Sequence, residues 1–265
     1  MNGVASYASV RGMSTEILHS AIPYDIRKGL PGIQPVPEND WLWVDECYGA
    51  QMAYRDQLIA ERLGDVHYLE DGALEAGREF LLTLLSKLPS FQNFVVSDTY
   101  VVRPDGVQVP IDWDQPLVTA GRLGQADYCI LQKPEGASEH CLTGAILCFP
   151  SSWTLSEKAG RPLMAIHVPI PEYDENIGKR VQRLFDGVQP GRPIWRANEL
   201  WHGYANLHQP KSEKDPRRSY GPDAPFFRSE RQVIMRLPET RAVVFSIHTF
   251  VTRNPNAASA SSLHP

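Results

Sequence analysis

Histidines, arginines and carboxylates set among aromatic residues are the groups in this sequence that could do chemistry. His167 lies in Leu163-Met164-Ala165-Ile166-His167-Val168-Pro169-Ile170-Pro171, between an apolar run and two prolines. A neutral imidazole on a proline-stiffened segment suits a metal or a haem iron. The same setting also fits a hydrogen-bonded core histidine. His140, ahead of an apolar run, and His248, inside a strand-like run, are the other histidines that could reach iron, although an ordinary packed role suits His248 better. His202 and His208 fall in a polar stretch and read as solvated, while His19, His67 and His264 carry no pattern. Phe226-Phe227-Arg228-Ser229-Glu230-Arg231-Gln232 puts two arginines and a carboxylate at a strand start. This reads either as a surface ion pair or as the polar wall of a cofactor cavity. In the second case an arginine could grip a propionate or polarise bound oxygen, and Glu230 could hold an amine or relay a proton.

Several chemistries are excluded by what the sequence lacks. It has no phosphate-binding glycine loop, no dinucleotide fingerprint, no nucleophile elbow, no zinc-protease motif and no kinase signature. The four cysteines, at 47, 129, 141 and 148, form no CxxC pair and read as buried thiols rather than ligands of zinc or an iron–sulfur cluster. A formal net charge of −5 over 265 residues, with no basic block, argues against nucleic acid as a partner. The longest apolar runs fall far short of the roughly 20 residues that span a bilayer. With no secretory pattern at the N-terminus, the expectation is a cytoplasmic protein acting on a small molecule and needing no membrane.

The elements that must position these groups follow from periodicity. Residues 1–24 and 253–265 read as loose termini around one domain over 25–252, and 30–40 as a proline-rich surface strap. Helical spacing covers Trp41 to Leu63, with Gly64 as a stop, and Leu74 to Leu88, ended by Pro89. Beyond residue 98 short apolar runs predict strands at 98–103, 125–131, 143–149, 231–237 and 242–251, the last two joined as a hairpin through Pro238-Glu239-Thr240-Arg241. One amphipathic helix interrupts them. Its stripe is Ile177, Val181, Leu184 and Phe185, with Glu172, Asp174 and Glu175 near its start and Gly187 at its end. Strands interrupted by helices, without regular alternation, predict an α+β fold on an antiparallel sheet.

Residues 148–171 carry a longer, ordered pattern: Pro150-Ser151-Ser152-Trp153, then Glu157-Lys158-Ala159-Gly160, then Ile166-His167-Val168-Pro169-Ile170-Pro171. Gly29-Leu30 with Trp41, Asp45 and Tyr48 precede it, as does Gln125 to Leu131. Arg196-Ala197-Asn198, Arg228 to Gln232, Arg236-Leu237-Pro238 and Val244 to Phe250 follow in order. Together these resemble the haem-dependent oxidative N-demethylase-like family over about residues 25–252. The resemblance implies a PAS-like fold, a curved antiparallel sheet holding haem b against helices, with an N-terminal helical section. It also implies oxidation of an N-methyl group of a small amine with oxygen, drawing electrons from a separate flavin or iron–sulfur reductase. His167 would be the iron ligand, Arg228, Arg196, Trp153 and Lys158 would contact the cofactor, and Glu230, Arg231 and Asn198 would face substrate. Ala126 and His248 stand where that family usually has an acidic residue and often an arginine, and Trp201 with the insert 202–225 is peculiar to this chain. Two other readings stay open: a haem enzyme of specialised metabolism without oxygen chemistry (an isomerase, cyclase or dehydratase), and a non-catalytic haem- or gas-sensing module.

Overall fold

A computed structural model describes residues 16–26, 32–37, 40–167, 175–215 and 219–257. In chain order the described elements are β1 (Gln34–Pro35), α1 (Tyr48–Val66), β2 (His67–Leu69), α2 (Leu74–Lys87), β3 (Val95–Val96), β4 (Tyr100–Val102) and β5 (Gln108–Pro110). Then come α3 (Pro116–Gly121), β6 (Ala126–Gln132), β7 (Cys141–Ile146), α4 (Leu163–His167), α5 (Glu175–Gly187), β8 (Ile194–Ala197), β9 (Leu200–His202), β10 (Phe226–Arg236) and β11 (Val243–Arg253). The main sheet is antiparallel in the order β1-β8-β10-β11-β6-β7-β2, with β9 also on β10, and β3-β4-β5 form a small second sheet. The expected α+β class is what the chain adopts. No helix among the described residues is long and apolar enough to cross a membrane.

The hairpin β10–β11 organises the sheet, pairing from Phe226↔Arg253 to Arg236↔Val243. Side chains alternate across a strand, so each strand contributes to two different cores. One face carries Val233, Val244, Ala126, Tyr128 and Ile130 against α1 and α2, with the Phe80 and Tyr128 rings 4.7 Å apart. The other carries Ile234, Val243, Ile247, Cys129 and Leu131 against Leu155, Leu163 of α4 and Phe185 of α5. Val181 and Leu184 of the predicted amphipathic stripe pack into this second core. Glu172 and Asp174, expected at that helix's start, lie outside the described residues, as do Gly29-Leu30 and Pro169 to Pro171.

Several boundaries differ from expectation, each for a local reason. α1 begins at Tyr48, not Trp41, because the Asp45 carboxylate accepts the Cys47 N–H at 2.8 Å and the Asp45 N–H donates to Gln125. It also runs past Gly64, with the departure from helical geometry at Arg62 (φ −140°, ψ 36°). β7 stops at Ile146 because the next amides turn inward: Cys148 N–H and Phe149 N–H donate to Asp127 at 2.7 and 2.9 Å. The proline-rich strap supplies a sheet edge, Gln34–Pro35, a place where a missing N–H is tolerated. Residues 16–24 are docked rather than loose: His19 is buried and its N–H donates to Val251 O at 2.8 Å.

Candidate functional site

The hairpin's alternation separates the predicted site residues into two groups. Arg228, Glu230 and Gln232 share the face that α4 and α5 cover, and the register Gln232↔Arg196 brings Arg196 of β8 to the same face. Arg228 is fully buried and ties Glu230 down: its Nε and Nη2 donate to Glu230 Oε1 at 3.2 and 3.1 Å. Its remaining donors go to Leu207 O, Phe149 O and Thr249. Asn198 closes a reciprocal pair with Glu230, donating from Nδ2 to Oε2 at 2.8 Å and accepting the Glu230 N–H at 2.8 Å. Gln232 adds a third donor to the carboxylate at 3.3 Å. The result is a buried carboxylate fixed in one orientation by charge-assisted bonds.

His167 is the last residue of α4, not part of a proline-held loop. Its Nδ1 lies 2.8 Å from Leu163 O, so Nδ1 carries the proton and Nε2 the lone pair. Burial pushes its pKa below the ordinary histidine value, and the charge of Lys158 adds to this. The ring is therefore neutral at pH 7 and in the tautomer that ligates a metal through Nε2, with a carbonyl holding the other nitrogen. Leu163 and Ile166 of the same helix pack into the core of the Glu230 face, as does Trp153.

Arg196 is half-buried, and its Nε has no hydrogen-bond partner among the described residues. Burial draws its guanidinium pKa below the usual range. A buried cation without an acceptor is costly unless an anion meets it. Carboxylates carried by a haem would supply one. The residues present therefore fit the group: a neutral histidine with its lone pair on Nε2, and an arginine lacking an acceptor, beside an apolar lining. Lys158, also expected to touch the cofactor, is instead occupied by Glu213 and Ile166 O.

Arg231 is not part of this constellation. One residue on from Glu230, it points to the opposite face, 4.1 Å over the Trp43 ring and 5.3 Å from Trp195, and donates to the carbonyls of Trp41 and Asp40. His248 lies on that face too, while His140 sits beneath α5 with Nδ1 2.9 Å from Gln182. His202 is buried, not solvated, and burial with the nearby Arg228 brings its pKa down to about 4. His208 is half-buried, its Nδ1 2.7 Å from Cys148 O.

A polar cluster on the Arg231 face escaped the sequence reading. Asp45 Oδ2 accepts from His19 Nε2 at 3.1 Å and His248 Nε2 at 2.8 Å, and Oδ1 from Gln125 at 2.6 Å. These bonds hold the Asp45 carboxyl well below the usual carboxylate range despite its burial. His19, Asp45 and Cys47 also have the proximity of a metal-binding trio. However, the Val251 N–H donates to His19 Nδ1, which leaves the His19 proton on Nε2 facing Asp45. That tautomer makes the cluster a clasp between the N-terminal segment and the sheet. Spacing gave no signal for it, since its members are 26 and 203 positions apart.

The chain is a mixed helix and antiparallel-sheet protein of the α+β class, with a neutral imidazole and, among the described residues, an arginine without an acceptor on one side of its sheet. The chain is a member of the family described as haem-dependent oxidative N-demethylase, alpha subunit-like, whose model matches residues 32–261.

Proposed function

We propose that this protein binds haem b in a PAS-like pocket between the β8–β10–β11 face and α4–α5, and uses it to oxidise an N-methyl carbon of a small amine. The observation that carries this is the presence, on one side of the sheet, of a neutral His167 fixed through Leu163 O and of Arg196, whose Nε has no acceptor among the described residues. Membership of a haem-dependent oxidative family supports it.

His167 would hold the iron through Nε2, and Arg196 would take a propionate. Bound haem supplies oxygen activation, with electrons from a separate flavin or iron–sulfur reductase. Everything else is done by the chain. Glu230, locked by Arg228, Asn198 and Gln232, presents fixed negative charge that orients a protonated amine and can accept a proton at Oε2. Arg228 keeps that carboxylate from turning away. Trp153, Ile166, Val181 and Leu184 keep water from the apolar side. Arg231, on the other face, supports the sheet and touches no substrate. The location we propose for it is the cytoplasm.

The test is the visible spectrum of the purified protein after haem-supplemented expression. A Soret band that shifts on reduction and on carbon monoxide addition, and is lost in His167→Ala, is the expected result. A colourless protein, or unchanged occupancy in His167→Ala, would overturn the assignment. Formaldehyde release from a secondary methylamine in air, absent under nitrogen, tests the reaction.

A further inference from the structure

A second cleft lies at the Phe226 end of β10, where β9 pairs with it, and has a volume of about 480 Å³. That is within the usual range for a small-molecule site, about 300–1,000 Å³. Three large aromatics line it: Trp201, Tyr204 and Tyr220. Trp201 is backed by the Phe227 ring at 4.8 Å, and Tyr220 stands edge-on to Tyr204 at 6.4 Å. A Cβ at Gly203 would lie 2.8 Å from the Tyr220 ring, so the glycine is what lets that ring approach. Tyr204 is 49 % exposed, a large ring face left in water. Such faces stack on a ligand at little entropic cost.

The polar lining offers hydrogen bonds without charge. No carboxylate is among the described residues that line the cleft. Lys211 lines it but already has a partner. Burial keeps His202 and His208 neutral at pH 7. What remains is the Ser152 hydroxyl, the Trp201 indole N–H, the Tyr204 and Tyr220 hydroxyls and the Asn206 side-chain amide. None of these bonds to another described residue. The wall that carries Ser152 is held in place: its N–H donates to Gln209 O at 2.9 Å, and the Gln209 N–H to Pro150 O at 3.0 Å. Ser152 sits there at φ 61°, a left-handed conformation that costs a non-glycine residue and recurs at ligand sites. An ion entering the cleft meets no free counter-charge. A bare arene would cover these polar groups without replacing their bonds to water. The lining therefore calls for a ligand with an apolar face and several uncharged groups that both donate and accept.

We infer that this cleft is a second binding site, and that it takes a neutral pyranose sugar. The C–H face of the sugar ring would lie on Trp201 and Tyr204. Its hydroxyls, each a donor and an acceptor, would bond to Ser152, Asn206 and Tyr220. The absence of charge in this recognition sets it apart from the Glu230 face, where fixed negative charge suits an amine.

Isothermal titration calorimetry of the full chain with methyl glucoside, methyl galactoside and methyl mannoside tests this. Indole supplies a stacking face without hydroxyls, and glycerol supplies hydroxyls without a face. Saturable binding of at least one glycoside, at least about tenfold tighter than indole or glycerol, is expected. Its affinity should change less than about threefold between about 0.05 and 0.5 M sodium chloride, since no ion pair forms. Tyr204→Ser and Asn206→Ala, both at exposed positions, should each weaken it about tenfold, and Tyr204→Trp should restore most of the affinity. No saturable heat from any glycoside up to about 20 mM, indole bound as tightly, a larger salt dependence, or full affinity in either Tyr204→Ser or Asn206→Ala would overturn the inference. Circular dichroism confirms that the variants fold. The Soret band reports the haem site independently, so failure of one proposal leaves the other readable.

Discussion

Arg231 and His248 stand directly opposite each other across β10 and β11, and each keeps one buried nitrogen, Nε and Nδ1, without a hydrogen-bond partner among the described residues. Both are otherwise committed, Arg231 to backbone carbonyls and Trp43, His248 to Asp45. Burial brings the Arg231 pKa down to about 10 and pushes that of His248 below its ordinary value. The charge of Arg231 also opposes protonation of His248.

This gives a signed pH dependence. In His248, His167, His140, His202 and His208 burial holds the folded pKa below the ordinary histidine value. The unfolded chain therefore binds more protons on acidification, and stability present above about pH 6.5 is lost as pH falls toward about 4. Urea unfolding at pH 7.5 and 5.0 should give a lower midpoint at pH 5.0, by on the order of 2 kcal/mol in stability. An equal or higher midpoint at pH 5.0 would contradict the assignment of these rings as neutral.

Arg55 and Asp127 form a fully buried ion pair at 2.7 Å, and Asp127 also takes the amides of Cys148 and Phe149. Asp127→Ala should cost about 3–5 kcal/mol, because it leaves Arg55 as an unpaired buried charge. Denaturant unfolding reads this directly. A loss under 1 kcal/mol would mean the pair is hydrated in solution.

Arg196→Gln separates cofactor retention from folding. It removes a half-buried cation that lacks a partner among the described residues, so the protein without haem should be as stable as the parent or slightly more so. Haem affinity should fall about tenfold or more with loss of a charge-assisted pair. Haem transfer to apomyoglobin measures the second quantity and thermal melting the first. Unchanged haem affinity would remove Arg196 from the site.

Gly121 ends α3 where an added Cβ would come within 2.4 Å of Ile146 Cγ1. Gly121→Ala should destabilise by about 1–3 kcal/mol through overpacking. In an Ile146→Ala background, which removes Cγ1, the cost of Gly121→Ala should shrink, and the two-variant cycle checks that Ile146 Cγ1 is the atom in the way.

Glu230→Gln keeps the shape of the side chain but removes its charge. The Soret band should be unchanged, while amine turnover falls by about 10²-fold, in the range seen when an acid–base group is removed. If KM rises with kcat unchanged, Glu230 binds the amine without moving a proton.

Sequence pattern exposed the elements whose side chains repeat with a fixed period. The hairpin through Pro238 to Arg241, the helix over Leu74 to Lys87 and the stripe of α5 were legible because each buries one face. What escaped depended on contacts distant in sequence. Asp45, His19 and His248 meet only after the N-terminal segment docks on β11, so no window of residues contains them. Leu147 to Phe149 are apolar enough for a strand, but Asp127 takes the amides of Cys148 and Phe149 instead. The grouping of Glu230 with Arg231 as neighbours in one wall failed for a simpler reason: adjacent residues on a strand face opposite ways.

That alternation makes β10 a partition with a different tenant on each side. The two rooms cannot be refurnished separately, since a slip of one residue in the pairing with β11 would put Arg231 where Glu230 now stands and turn Val233 from the α1–α2 side to the α4–α5 side. The four-residue turn from Pro238 to Arg241, far from either room, is what keeps the floor plan.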